Sequence, residues 1–302
     1  LMKLGLFDHM QKHDHPARTY VDLYRNHLEV LEFADQAGMD FYFVAEHHFD
    51  MGFSECPSPG SFLGAASQRT KNIRMGPLVY VLPLWHPVRV AEEAALLDNL
   101  MNGRLECGIG AGIGPFSFVA YNVPWDQKRE MTLEALQIIK GIWTHETFSF
   151  EGKYFKCKDV DCSIPLVQKP HPPLWMPTRS KESIEEAATT GMSTVQWVPS
   201  GMKATRKAFD EYREVYQRAK PSGRKPHMGL MREIYVADMV GVAVMLTPDA
   251  GKSSVQEVRI GLGAVAPTPV RAPKTEALLR GKPLTAALIK EAGALAASEA
   301  SP

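Results

Sequence analysis

Within Asp40-Phe41-Tyr42-Phe43-Val44-Ala45-Glu46-His47-His48-Phe49 a short apolar run, Phe41 to Ala45, ends in the three polar side chains of Glu46, His47 and His48. A buried parallel strand has this form when it delivers polar groups at its C-terminal end. In α/β enzymes the C-terminal ends of strands are where chemistry is placed. Taken alone, the stretch fits two readings. It is either a strand presenting a site, or a strand beside a loop with two structural histidines.

The flanking sequence extends the pattern. Residues 2–8 read as a first strand ending at Asp8-His9. Residues 20–37 carry Val21, Leu23, Tyr24, Leu28, Leu31 and Ala34 near a 3.6-residue period, an amphipathic helix closed by Gly38. Strand, helix, strand is the parallel crossover unit. The rhythm continues with a helix over 61–70, a strand over 73–82 and a helix over 88–101. A strand over 105–109 and a helix over 126–143 follow. An irregular stretch, 144–170, has a hairpin signal at Glu151-Gly152. Then come a strand (174–176), a helix (181–190), a strand (194–198), a helix (202–219) and a strand (228–237). Seven alternations over this length predict a (β/α)8 TIM-type barrel. A doubly wound open sheet competes, and periodicity does not separate the two.

A closed barrel needs one more strand and helix, and the sequence changes character instead. No Phe, Trp or Tyr follows Tyr235. Strands over 240–246 and 255–263 and alanine-rich helices over 274–279 and 284–300 predict a small α+β segment. The barrel is therefore expected to be truncated after strand seven, with open edges beside strands one and seven. The strand 240–246 is expected to sit in the vacant slot.

Composition narrows the function classes. The chain has 302 residues, 45% of them hydrophobic, with zero formal net charge. Neutrality argues against nucleic acid as a partner, which would need a basic face. No apolar run approaches the ~20 residues that span a bilayer. The start is too soon polar for a signal peptide. The four cysteines include no CxxC pair, and reduced thiols in a cytoplasmic protein are expected. No metal-ligand spacing is present, so no metal is expected.

Three further stretches carry candidate chemistry. Gly108-Ile109-Gly110-Ala111-Gly112-Ile113-Gly114 follows a strand but does not meet the dinucleotide fingerprint. Its glycines permit close approach by a ligand or by a neighbouring loop. Ser180 is an expected N-cap with Ser183 in the first turn, and Arg179 beside them suits either a phosphate or solvent. His86, within Trp85-His86-Pro87, falls just past the third strand and so on the same rim as His47.

Together, several stretches resemble the bacterial luciferase-like, flavin-dependent monooxygenases. They are Glu46-His47-His48-Phe49, Leu82-Pro83-Leu84-Trp85-His86-Pro87-Val88-Arg89 and the run 92–105. Asn122-Val123-Pro124, Trp143, Glu151-Gly152-Lys153-Tyr154-Phe155 and Arg232-Glu233-Ile234-Tyr235-Val236 continue the likeness. It covers residues 2–238. It implies a barrel that uses reduced FMN and O2, oxygen adding at the flavin C4a position and the peroxide attacking a small organic substrate. It implies a separate flavin reductase as transient partner, and often a homodimer. By the same resemblance His47 is the essential histidine and His86 a second one near the flavin. Pro77-Leu78 falls where members of that family can carry a non-proline cis peptide under the ring. Gly110, Gly112, Ser180 and Ser183 lie on the cofactor's side. The chain has Gly110 and Ala111 where luciferase has a cysteine and an arginine, and Arg179 is expected to supply the missing charge. Reductases using the deazaflavin F420 belong to the same superfamily; the His47-His48 pair and Trp85-His86-Pro87 favour FMN.

The tail resembles another family. The run 257–272, with Glu276, Leu279-Arg280-Gly281-Lys282 and Glu299-Ala300-Ser301-Pro302, is similar to the C-terminal domain of the FAD-binding medium subunit of carbon monoxide dehydrogenase and related molybdenum hydroxylases. The likeness implies two domains, 2–238 and 239–302, joined near Asp238-Met239. It leaves as alternatives a flavin-subunit-like fragment or an inactive chimera. It gives little reason to expect FAD, because that family's FAD-binding motifs lie mostly upstream.

Overall fold

The computed structural model describes residues 3–12, 19–49, 54–197, 201–231, 241–248, 254–263 and 270–299. The chain divides into two compact units, Leu1–Arg232 and Glu233–Pro302. The expected junction at Asp238-Met239 lies outside the described residues, as does the stretch 232–237 of the last predicted barrel strand.

In the first unit, β1 (Gly5–Asp8) leads to α1 (Tyr20–Gln36). Thr19 starts this helix by a reciprocal cap with Asp22, and Gly38, at φ 76°, ends it. There follow β2 (Phe41–Val44), α2 (Pro59–Ser67), β3 (Arg74–Pro77), β4 (Tyr80–Val81) and α3 (Pro87–Leu100). Next come β5 (Cys107–Gly110), a short α4 (Pro115–Ala120), α5 (Lys128–Thr144) and the hairpin β6 (Phe148–Glu151) and β7 (Lys156–Val160). The unit continues with β8 (Leu174–Pro177), α6 (Lys181–Thr189), β9 (Ser193–Trp197), α7 (Gly201–Ala219) and β10 (Met228–Met231).

Except for the β6–β7 hairpin, every ladder in this unit is parallel. The strands run in the orders β1-β2-β3 and β4-β5-β8-β9-β10. A parallel bridge between Met75 and Leu105 joins the two sets. The predicted single strand over 73–82 is broken into β3 and β4, with a cis peptide between Leu78 and Val79. This corrects the placement at Pro77-Leu78. The Leu78 N–H donates to the Val44 carbonyl at 2.8 Å, so its amide stays in the ladder with β2 and the irregularity falls one residue later.

Curvature separates a barrel from an open sheet. Phe41 on β2 and Trp175 on β8 stand three strand spacings apart in the ladder, which in a flat sheet is ~14 Å. Their ring centroids are 5.7 Å apart. His227, just before β10, stacks on Trp175 at 5.8 Å and meets Phe41 edge-on at 5.5 Å. The sheet therefore curls around an interior, and the doubly wound alternative is excluded. Phe7, Phe41, Phe43, Leu78, Val79, Trp175, Val195 and Met231 pack together there. The alternate residues Tyr42, Val44, Cys107, Ile109, Leu174 and Met176 belong to a second layer with Leu31, Leu63, Ala94, Leu97 and Ile138 of the helices.

In the second unit, β11 (Gly241–Pro248) pairs antiparallel with β12 (Val255–Gly263), which pairs with β13 (Val270–Arg271). Helices α8 (Pro273–Leu279) and α9 (Ala286–Glu299) follow. The strand expected in the barrel's vacant slot is β11, and its ladder partner is β12, an antiparallel neighbour only a short connection away. Val258, Ile260, Ala272 and Leu279 form a small core. The Glu276 carboxylate binds the Ile260 N–H and the Arg271 guanidinium. Among the described residues, no helix is long and apolar enough to cross a membrane.

Candidate active site

The polar side chains of the opening stretch leave β2 in different directions. Glu46 is 4% exposed and His48 is buried as well. Both Glu46 carboxylate oxygens face fixed donors: the Val81 N–H at 3.0 Å, and the Trp85 indole N–H at 2.9 and 3.0 Å. His48 Nε2 adds a contact of 2.8 Å to Oε1. A buried carboxylate is tolerable only when its lone pairs are met in this way. The far side of the His48 ring is also engaged, Nδ1 lying 3.2 Å from the Tyr121 hydroxyl.

His47, half-buried, turns toward the end of β1. Its backbone N–H donates to the Cys56 carbonyl at 3.2 Å, and its ring centroid is 5.8 Å from that of His9. His9 in turn meets Phe7 of the interior edge-on at 4.8 Å. The strand end therefore places His47 beside another imidazole. His86 is exposed at the start of α3, and its ring neighbour is Phe155, at 6.2 Å. Phe155 belongs to a hairpin tip held by Glu134, whose carboxylate accepts the N–H groups of Lys153, Tyr154 and Phe155. The structure joins His47 to His9 and His86 to the hairpin; among the described contacts it does not bring the two predicted histidines together.

The glycines after β5 have a packing reason. A Cβ at Gly108 would stand 2.3 Å from the Pro77 carbonyl oxygen, and one at Gly110 would stand 2.7 Å from Val79. Gly112, at φ 76°, has Val81 and Phe118 against it. Gly108 and Gly110 let β5 approach the irregular Pro77–Val79 segment. Lys128 closes the loop: its ammonium donates to the Gly112 carbonyl at 2.8 Å and lies 3.2 Å from the Trp125 ring centroid, with burial lowering its pKa.

Ser180 and Ser183 form a reciprocal cap at the start of α6. The Ser180 hydroxyl accepts the Ser183 N–H, and the Ser183 hydroxyl accepts the N–H groups of Arg179 and Ser180 at 3.1 and 3.0 Å. Both hydroxyls therefore have structural work in the cap. The Arg179 side chain is exposed beside them.

Sequence reasoning missed Tyr121 and the bonding of Glu46 and Trp85. Glu46 carried a signal, a carboxylate at the end of an apolar strand. Tyr121 carried none, being remote in sequence from the histidine it meets.

A parallel α/β barrel with ionisable side chains gathered at strand C-termini has the layout of a barrel enzyme. The chain belongs to the luciferase-like monooxygenase family, whose model matches residues 2–280. The oxygenase component of flavin-dependent trigonelline monooxygenase from Acinetobacter baylyi is 30% identical over 243 residues, covering 78% of this chain and 66% of that one. Among solved structures, monooxygenase RslO1 from Streptomyces bottropensis superposes with a TM-score of 0.72 at 26% identity, covering 79% of this chain and 73% of its own. The oxygenating constituent of 3,6-diketocamphane monooxygenase from Pseudomonas putida, a type II Baeyer-Villiger enzyme solved with FMN, gives 0.68 at 24% identity, covering 76% and 66%. That last likeness shows the fold alone. The family makes the chain an oxidoreductase.

Proposed function

We propose that the chain is the oxygenase of a two-component system that takes reduced FMN from a separate flavin reductase and uses O2 to oxidise a small organic substrate. The observation that carries this reading is the apolar interior beside the strand ends. Phe7, Phe43, Leu78, Val79 and Trp175 offer the flat apolar walls that a tricyclic ring needs, and His9 and His47 stand at the ends of β1 and β2. Their apolar character, with the two imidazoles beside them, is compatible with a flavin ring held over the strand ends. A flavin and a separate reductase are supported by the trigonelline relative, which is the oxygenase component of a flavin-dependent monooxygenase.

When bound, reduced FMN supplies the electrons that activate O2 at its C4a carbon. The chain's own residues do the rest. Apolar walls exclude water, which otherwise promotes loss of hydrogen peroxide. His47 would handle a proton near the ring, a task that suits imidazole near neutral pH, and His86 would act from further along the rim. Pro77 and Leu78 would lie beside the ring. Gly110 and Gly112 would shape the loop beside it, and Arg179, with Ser180 and Ser183 fixing the turn, would supply positive charge to the phosphate.

The test uses the full chain with a flavin reductase. Retention of FMN on gel filtration and NADH-driven oxygen uptake that depends on an organic substrate are expected. Hydride exchange with the deazaflavin F420 in the absence of oxygen uptake would overturn the reading.

A further inference from the structure

We propose that Tyr121 is a catalytic residue, the outer end of a proton path Tyr121–His48–Glu46 at the rim of the barrel. The inference rests on the monooxygenase reading and names which imidazole of the His47-His48 pair exchanges protons with substrate.

Three observations converge on it. First, both Glu46 oxygens already accept rigid N–H donors from Val81 and Trp85, so the His48 Nε2 beside Oε1 is a donor too. An imidazole with its proton on Nε2 presents a lone pair at Nδ1. Second, that lone pair faces the Tyr121 hydroxyl at 3.2 Å, so the phenol donates inward and its oxygen lone pairs are left for another partner. Third, Tyr121 is 45% exposed although His48 and Glu46 are buried. It is the one member of the path that substrate can reach. Phe49, also exposed, lies 5.8 Å from its ring and supplies an apolar surface beside the hydroxyl. The arrangement suits an apolar organic substrate bearing an O–H or N–H group.

The step balances without any redox change. The substrate's O–H or N–H bond breaks and its proton passes to the Tyr121 oxygen. The phenol's own proton passes to His48 Nδ1. The imidazolium that results lies against the Glu46 carboxylate, which stabilises it. The reverse sequence returns a proton to an oxygen anion on the product. His47, turned toward His9, stands outside this path.

The experiment has two arms. In the first, the chain is labelled with 15N-histidine and its ring nitrogens are observed by NMR, with no substrate or flavin added. His48 is expected to carry its proton on Nε2, and Tyr121→Phe is expected to shift the Nδ1 resonance. A proton on Nδ1, or an Nδ1 resonance unchanged in the variant, overturns the proposal whether or not the chain oxidises anything. In the second arm, Tyr121→Phe is expected to lower kcat on the order of 100-fold. KM and the FMN dissociation constant should stay within about twofold, and the lost rate should rise with added imidazole buffer. A variant with the parent's kcat overturns the proposal. A parent chain without substrate-dependent oxygen uptake refutes the monooxygenase reading instead, and the NMR arm still decides the path.

Discussion

Trp175 donates its indole N–H to the buried Glu106 carboxylate at 2.5 Å while its ring stands edge-on to Phe41 at 5.7 Å. One side chain therefore ties β8 both to the residue preceding β5 and to β2 across the interior. Two substitutions separate the roles. Trp175→Phe keeps an aromatic ring and leaves a carboxylate oxygen short of a donor, a loss of about 1–3 kcal/mol. Trp175→Ala also empties the interior and is expected to lose about 3–5 kcal/mol. Urea unfolding reads both. Equal midpoints for the two variants would show that the ring contributes nothing to closing the sheet.

Gly108 and Gly114 test whether the glycine-rich stretch is there for packing. A methyl at 108 would meet the Pro77 carbonyl oxygen at 2.3 Å, backbone that cannot swing aside, whereas a methyl at 114 has nothing within 4 Å. Gly108→Ala is expected to lose about 1–3 kcal/mol, and Gly114→Ala to stay within about 0.5 kcal/mol of the parent. Thermal unfolding of the pair is the measurement, and a neutral Gly108→Ala would refute the close approach.

Glu134 holds the hairpin tip beside His86. Its carboxylate gathers the N–H groups of Lys153, Tyr154 and Phe155 at 2.8 to 3.2 Å. Glu134→Ala is expected to loosen residues 152–155 with little global change, because these groups can turn to water. Limited proteolysis should then cut near Lys153 at least several times faster than in the parent. An unchanged cleavage rate would show that β6 and β7 hold the tip unaided.

How much of this was legible in the sequence depends on range. The alternation of elements was readable because a 3.6-residue period and flanking glycines such as Gly38 and Gly191 are local signals. The Ser180–Ser183 cap was readable for the same reason. The break at Leu78-Val79 was not, since it is matched to glycines on β5, a separate strand. Nor was the curl of the sheet, which shows only in cross-interior pairs such as Phe41 with His227. At the site, Glu46, His47 and His48 stood out as a polar end to an apolar run. Their division of labour did not, because it is set by Trp85, Tyr121 and His9, each supplied by a different loop.

Asp35 gives the fold a pH dependence of definite sign. Its carboxylate, at the end of α1, accepts the N–H groups of Lys71, Asn72 and Ile73 at 2.8, 2.8 and 2.7 Å. Burial alone would raise its pKa, but these three bonds, with the charge of Arg104 nearby, outweigh burial and hold it below the usual value. A carboxyl depressed in the folded state stabilises the fold above its unfolded pKa of about 3.9. That contribution disappears as pH falls through the lower, folded value. Asp35→Asn keeps a single acceptor oxygen and does not titrate. It is expected to be about 1–3 kcal/mol less stable at neutral pH, with the gap from the parent narrowing as pH drops below about 4. Chemical unfolding across that range tests the sign: parallel stability curves for parent and variant would mean that the turn before β3 does not depend on the charge at Asp35.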